Sequence, residues 1–188
     1  VKTADLIALP PPQATDQGRR VALVLGNATY KQVPLKNTIN DAAAMAEALK
    51  KVGFTVVAVN NGDFDAMSKG VRDFLVHAQE SAVALVYYAG HGIEVNGRNY
   101  LVATDADMTS PQSVLSRSID VTEMLATLGT VTRKPKIVIL DACRDNPFPE
   151  RFKRQQQGLA QIEAPVETFI AFSTSPGRVA EDGEGRNS

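Results

Sequence analysis

Five short, almost wholly apolar runs, separated by stretches of helical periodicity, constrain this chain more than any other feature. They are RVALVLGN from Arg20, FTVVAVN from Phe54, AVALVYYAG from Ala82, KIVILDAC from Lys136 and TFIAFSTS from Thr168. A strand with one wet face alternates apolar and polar residues. Runs without alternation belong to strands covered on both faces, as in parallel sheets. Between them, TINDAAAMAEALKKVG carries Ala42, Met45, Ala46 and Leu49 at helical spacing and closes on Gly53, a stop signal. DAMSKGVRDFLVHA does the same through Met67, Val71, Phe74 and Leu75. Residues 119–129 predict a further helix. Apolar strands alternating with helices predict βαβ units, hence an α/β fold with a mostly parallel sheet between helical layers. IEVNGRNYLVAT predicts a hairpin turning at Asn96-Gly97 in type I′. The polar, Gln-rich stretch from Arg144 to Pro165 predicts a long connection between the fourth and fifth strands. Connections of that length in compact domains are usually functional or disordered.

The chain has 188 residues, 44% of them hydrophobic and 22% charged, enough for one core of ordinary size. Residues 1–18, with Pro10, Pro11 and Pro12 in a row, read as an extended lead-in or linker, and residues 19–188 as the folded domain. VKTADLIALPPPQ does not read as a signal peptide, because its apolar part is short and it contains Asp5. The formal net charge of −1 lacks the clustered basic excess of a nucleic-acid binder. No run of about 18 apolar residues is present, so no membrane span is expected. The single cysteine, Cys143, excludes an intrachain disulfide framework and leaves the redox compartment open. Neither Gly26-Asn27 nor the GHG triplet makes a nucleotide-binding glycine loop, which argues against a nucleotide- or flavin-binding domain.

In open α/β sheets the ligand crevice lies beyond the carboxyl ends of the strands. The third run ends YYAGHG and places His91 just past its last apolar residue. The fourth ends LDACRD and places Cys143 at the equivalent point. Neighbouring strands lie about 4.8 Å apart, so adjacency of these two would bring a thiol and an imidazole to one crevice. Thiolate is the reactive form of cysteine, and imidazole can take the thiol proton and return it to a leaving amine. Gly90 and Gly92 would let the backbone turn sharply and a substrate approach. The backbone N–H groups of Gly92 and Cys143 are candidates to face a developing oxyanion. Taken singly, a lone cysteine such as Cys143 is most often a small buried hydrophobe, and GHG reads as a tight turn. His77, mid-helix beside an apolar stripe, is expected to have no catalytic role.

The pieces combine in DACRD. Its A-C-R core, with His91 52 residues upstream of Cys143, resembles the caspase signature, in which the histidine precedes Q-A-C-[RQG]-G by about 50 residues. Through RVALVLGN, LKNTINDAAAMAEAL, VYYAGHG, IVILDACRDNPF and FSTSPGRVAEDGEGRNS the chain resembles the caspase-like (clan CD) cysteine peptidases over residues 19–188, and most closely the bacterial metacaspase-like or orthocaspase branch. The resemblance implies a caspase-like three-layer αβα sandwich, with Cys143 as nucleophile and His91 as base acting on peptide or protein substrates. Caspases that cut after aspartate hold it with arginines and a glutamine. Here Asp141 stands at the glutamine position and Leu35 where one arginine would be. A carboxylate in such a pocket favours a cationic partner, so cleavage after Arg or Lys is expected. Asp182 is a second candidate for the pocket, Glu181 a weaker one, and Ser173 and Ser175 candidates for its rim. Asp141 and Asp182 also read as a local backbone cap and a plain turn residue.

Arg144 reads either as an aid to thiolate formation or as a surface ion-pair partner. Arg151, Lys153 and Arg154 lie in the connection where caspases are commonly cut, and an enzyme with basic specificity could process itself there; a solvated basic cluster is the plainer reading. No EF-hand-like loop is present, so no metal or cofactor is expected, although some metacaspases need calcium. The branch implies a monomer, and a compartment open between the bacterial cytoplasm and a secreted or periplasmic location after loss of a signal segment. Related domains continue with at least one more strand and helix beyond GRNS. The rival reading is a catalytically silent domain of the same fold acting as an interaction or regulatory module. The intact His91 and Cys143 argue against it.

Overall fold

The computed structural model describes residues 18–143 and 159–173. Among the described residues five parallel strands form the main sheet: β1 (Arg20–Gly26), β2 (Phe54–Asn60), β3 (Val83–Val95), β6 (Lys136–Cys143) and β7 (Thr168–Phe172), in the spatial order β2-β1-β3-β6-β7. Every residue of β1 after the first is buried, as a run without alternation requires. β2 and β7, expected to be covered on both faces, are only partly buried, because each has a single described neighbour in the sheet, and Phe169 is 65% exposed.

Side chains alternate across the strands and build two cores. Helix α1 (Thr38–Lys51) covers Ala22, Val24, Leu85, Tyr87 and Ala89 on one face. Helices α2 (Phe64–Ala78) and α4 (Val121–Val131) cover Leu23, Leu25, Val86, Tyr88, Val138 and Leu140 on the other. The chain steps outward from β1 to β2 and back over β1 to β3, and right-handed crossovers in opposite directions put α1 and α2 on opposite faces. That reversal makes a switch point between β1 and β3, the usual place for a ligand crevice in this strand order. The layered α/β sandwich expected from the sequence is the fold observed. Among the described residues no helix is long and apolar enough to cross a membrane.

Three local expectations need correction. The third strand does not stop at Gly90: β3 runs thirteen residues, through GHG and on to Val95. Its last four residues pair antiparallel with β4 (Arg98–Val102), so the expected hairpin is a continuation of β3. Asn96 and Gly97 have φ of 53° and 77°, the signs a type I′ turn requires. Gly90 and Gly92 are therefore strand residues, with no positive φ. Next, the helix expected at 119–129 begins at Val121, because residues 118–120 pair with β4 as the short β5 (Ser118–Asp120), and the Asp120 side chain accepts from Glu123 N–H at 3.1 Å as the cap of α4. Last, the sequence reading passed over α3 (Pro111–Ser116), although Ser110 at its cap and Pro111 at its start are an ordinary signal.

Candidate active site

β3 and β6 are neighbours, and their pairing runs in register from Ala84–Lys136 to His91–Cys143. The backbones of His91 and Cys143 thus stand side by side where the pairing of the two central strands ends, at the carboxyl end of β6 and four residues short of the end of β3. His91 is 1% exposed. Its Nε2 lies 2.7 Å from the carbonyl oxygen of Val33, in the segment that follows β1. A carbonyl only accepts, so Nε2 carries the proton and the lone pair of the neutral ring sits on Nδ1. The Tyr30 ring packs against the imidazole at 4.4 Å between centroids, tilted by 52°. Tyr30 and Val33 lie in the loop that crosses the switch point, a segment the sequence reading left without a role. No local pattern marks them, because each acts through a contact with a residue some 60 positions away.

Gly92 is backed tightly. A Cβ there would lie 2.9 Å from Ala142 Cβ and 3.0 Å from Leu159 Cδ2. Close packing, not a turn, is what demands glycine at this position. Leu159 is held by its neighbour. The amide of Asn99, 1% exposed, donates to Ala160 C=O at 2.9 Å and accepts from Ala160 N–H at 2.7 Å, a side chain imitating a strand pair. The residues that close the β6–β7 connection are thereby pinned behind the strand that carries His91.

Asp141 lies in register with Ala89, half-buried, and accepts a hydrogen bond from Tyr87 Oη at 3.0 Å. Burial, followed by the Asp141 carboxylate, raises the Tyr87 phenol well above its ordinary pKa, and Asp41 adds to the same shift. Tyr87 therefore stays a neutral donor. Asp41, in the first turn of α1 and nearly buried, is a second carboxylate facing this neighbourhood. The sequence reading missed it, since an acidic residue in a first helical turn is an unremarkable helix signal. Ser173 is exposed just past β7, its N–H donating to Leu140 C=O at 3.1 Å. Leu35 packs at the edge of the small core around Tyr30 and Ile93. His77 lies in the last turn of α2, on a different element from the strand ends. Arg144, Arg151, Lys153, Arg154, Ser175, Glu181 and Asp182 lie outside the described residues. A cavity of about 380 Å³ between α2, α4 and β5 includes none of the strand-end residues.

Residues 19–188 match the family model described as the caspase domain. The human mucosa-associated lymphoid tissue lymphoma translocation protein 1 is 31% identical over 137 residues, covering 70% of this chain and 16% of the human protein. Its mouse homologue is 30% identical over 127 residues, covering 66% of this chain and 15% of its own length. The chain thus spans about a sixth of the length of these relatives. Among solved structures, the crystal structure of the Drosophila initiator caspase Dronc superposes with a TM-score of 0.60 at 14% identity, covering 88% of this chain and 59% of that one. This likeness establishes a caspase-like fold. On the family match over nine-tenths of its residues, the chain belongs to the caspase domain family, whose domain is that of a cysteine peptidase.

Proposed function

We propose that this chain is a cysteine endopeptidase that cuts after arginine or lysine, with Cys143 as nucleophile and His91 as its base. The observation that carries the reading is the His91–Cys143 register pair together with the Val33 carbonyl that sets the imidazole tautomer. Nδ1 takes the thiol proton, and the thiolate attacks the substrate carbonyl. The proton then passes to the leaving amine, and water hydrolyses the thioester. The N–H groups of Gly92 and Cys143 receive the oxyanion, which asks them to turn out of the ladder where the described pairing stops.

Basic specificity is supported by two carboxylates, Asp141 and Asp41, that share Tyr87 as a neutral neighbour. With Leu35 in place of a cation, the pocket offers negative charge to a guanidinium or ammonium group. Ser173 lines its rim, and Asp182 adds a further carboxylate. The reading includes membership of the metacaspase-like branch, action as a monomer without a metal or cofactor, and, from the basic preference, self-processing at Arg151, Lys153 or Arg154. Fluorogenic peptides with Arg, Lys or Asp before the dye test the reading on wild type and Cys143→Ala. Turnover of the Arg and Lys peptides that disappears in the variant is expected. Preference for Asp would overturn the specificity. No turnover, with no labelling of Cys143 by a thiol-reactive probe, would leave a silent interaction module instead.

A further inference from the structure

The main chain of His91 is held by two phenols, and the reason lies in where β1 stops. In a strand the N–H and C=O of one residue point to the same neighbour, and the direction repeats every second residue. Ala89 faces β1: its C=O accepts from Asn27 N–H at 2.9 Å. His91, two residues on, faces the same side, but the pairing of β1 with β3 ends at Gly26–Ala89. Hydroxyls take the place of the missing strand. His91 N–H donates to Tyr30 Oη at 3.0 Å, and Tyr88 Oη donates to His91 C=O at 2.6 Å. The two hydroxyls are 3.2 Å apart, and Tyr30 Oη donates onward to Val102 C=O at 3.1 Å. Tyr30 and Tyr88 are 3% and 0% exposed. Gly90 supplies the room, since a Cβ there would lie 2.6 Å from Tyr88 Oη and 2.7 Å from Tyr30 Oη.

We infer that Tyr30 and Tyr88 form a two-phenol clamp that substitutes for a strand and fixes the main chain of His91, and through it the imidazole against the Val33 carbonyl. Both are positioning residues, and the inference rests on the peptidase reading of His91. A buried N–H and C=O without these partners would seek others and carry the ring with them. Holding the ring is the point of the arrangement, because the 2.7 Å Nε2–Val33 bond selects the tautomer.

The test uses Tyr30→Phe, Tyr88→Phe and the double variant, which keep both rings and remove only hydroxyls. The first readout is the ¹⁵N imidazole spectrum. The chain has two histidines, so a His77→Asn background assigns His91. Wild type is expected to show one neutral tautomer, protonated at Nε2, and the double variant a mixture of the two. The second readout is kinetic: kcat falls roughly ten- to a hundredfold in the double variant, with KM within about twofold of wild type. A role in stability alone would lower Tm and leave the tautomer unchanged. A double variant with the wild-type imidazole spectrum and a kcat within about twofold of wild type overturns the clamp. Should the double variant fail to fold, Tyr30→Phe alone decides by the same measures. If wild type shows no turnover, the peptidase reading fails separately, and the spectrum still decides whether the phenols hold His91.

Discussion

Replacing Gly90 with alanine should cost far more than its size suggests. The added Cβ would sit 2.6 Å from Tyr88 Oη, 2.7 Å from Tyr30 Oη and 2.8 Å from Tyr88 Cζ. Neither ring can swing away, because both are buried in packed cores. Forcing one methyl into such a site costs about 1–3 kcal/mol. Pushing the hydroxyls back breaks the bonds to His91 N–H and C=O, and each buried group left unmade costs about 1–3 kcal/mol. Partial relaxation leaves a sum of about 4 kcal/mol, which for a domain of this size lowers Tm by roughly 8–16 °C. Gly129, in α4, is the control. A Cβ there meets nothing within 4 Å, and alanine favours a helix, so Gly129→Ala should raise stability by about 0.4–1 kcal/mol. Thermal unfolding followed by circular dichroism compares the pair. A Gly90→Ala protein melting within about 2 °C of wild type, or a Gly129→Ala protein falling as far as Gly90→Ala, would refute the close-approach argument.

Asn99→Ala strips Ala160 of both its partners and should destabilise by about 2–4 kcal/mol. Proteolytic sensitivity near Leu159 should rise with it, and an unchanged digestion pattern would count against the latch. Tyr87 titrates in the alkaline range. Its folded pKa lies above the unfolded value, so its contribution to stability is complete below about pH 10 and is lost as pH rises beyond that. Tyr87→Phe should therefore flatten the alkaline limb of a Tm–pH profile, with an equally steep limb speaking against the shift. Intact mass spectrometry should find wild type cut within residues 151–154 and Cys143→Ala whole; equal masses would end the self-processing proposal.

β1 and β3 were readable because burial on both faces removes alternation; β2 and β7, at the two ends of the described strand order, were readable from their apolar runs although they are covered only in part. Helices α1 and α2 were readable for the same kind of reason. β5 was not: with three residues it has no period, and only its pairing with β4 makes it a strand. GHG was read as a turn because glycine is ambiguous in one dimension. It can mark a positive φ or a close neighbour, and here the neighbours, Tyr30, Tyr88, Ala142 and Leu159, come from distant parts of the chain. Asp41 was hidden for a related reason, since a helix start accounts for it before any pocket does.

By itself the sequence determined the layered α/β architecture and set one histidine and one cysteine just past the apolar parts of two runs, because periodicity and the residues that close a run are local properties. Only the tertiary structure decided that β3 and β6 are adjacent and in register, that Val33 orients the imidazole, and that two phenols stand in for a missing strand. Those are contacts between residues far apart in the chain, and the backbone hydrogen bonds they complete are needed only because β1 ends at Gly26.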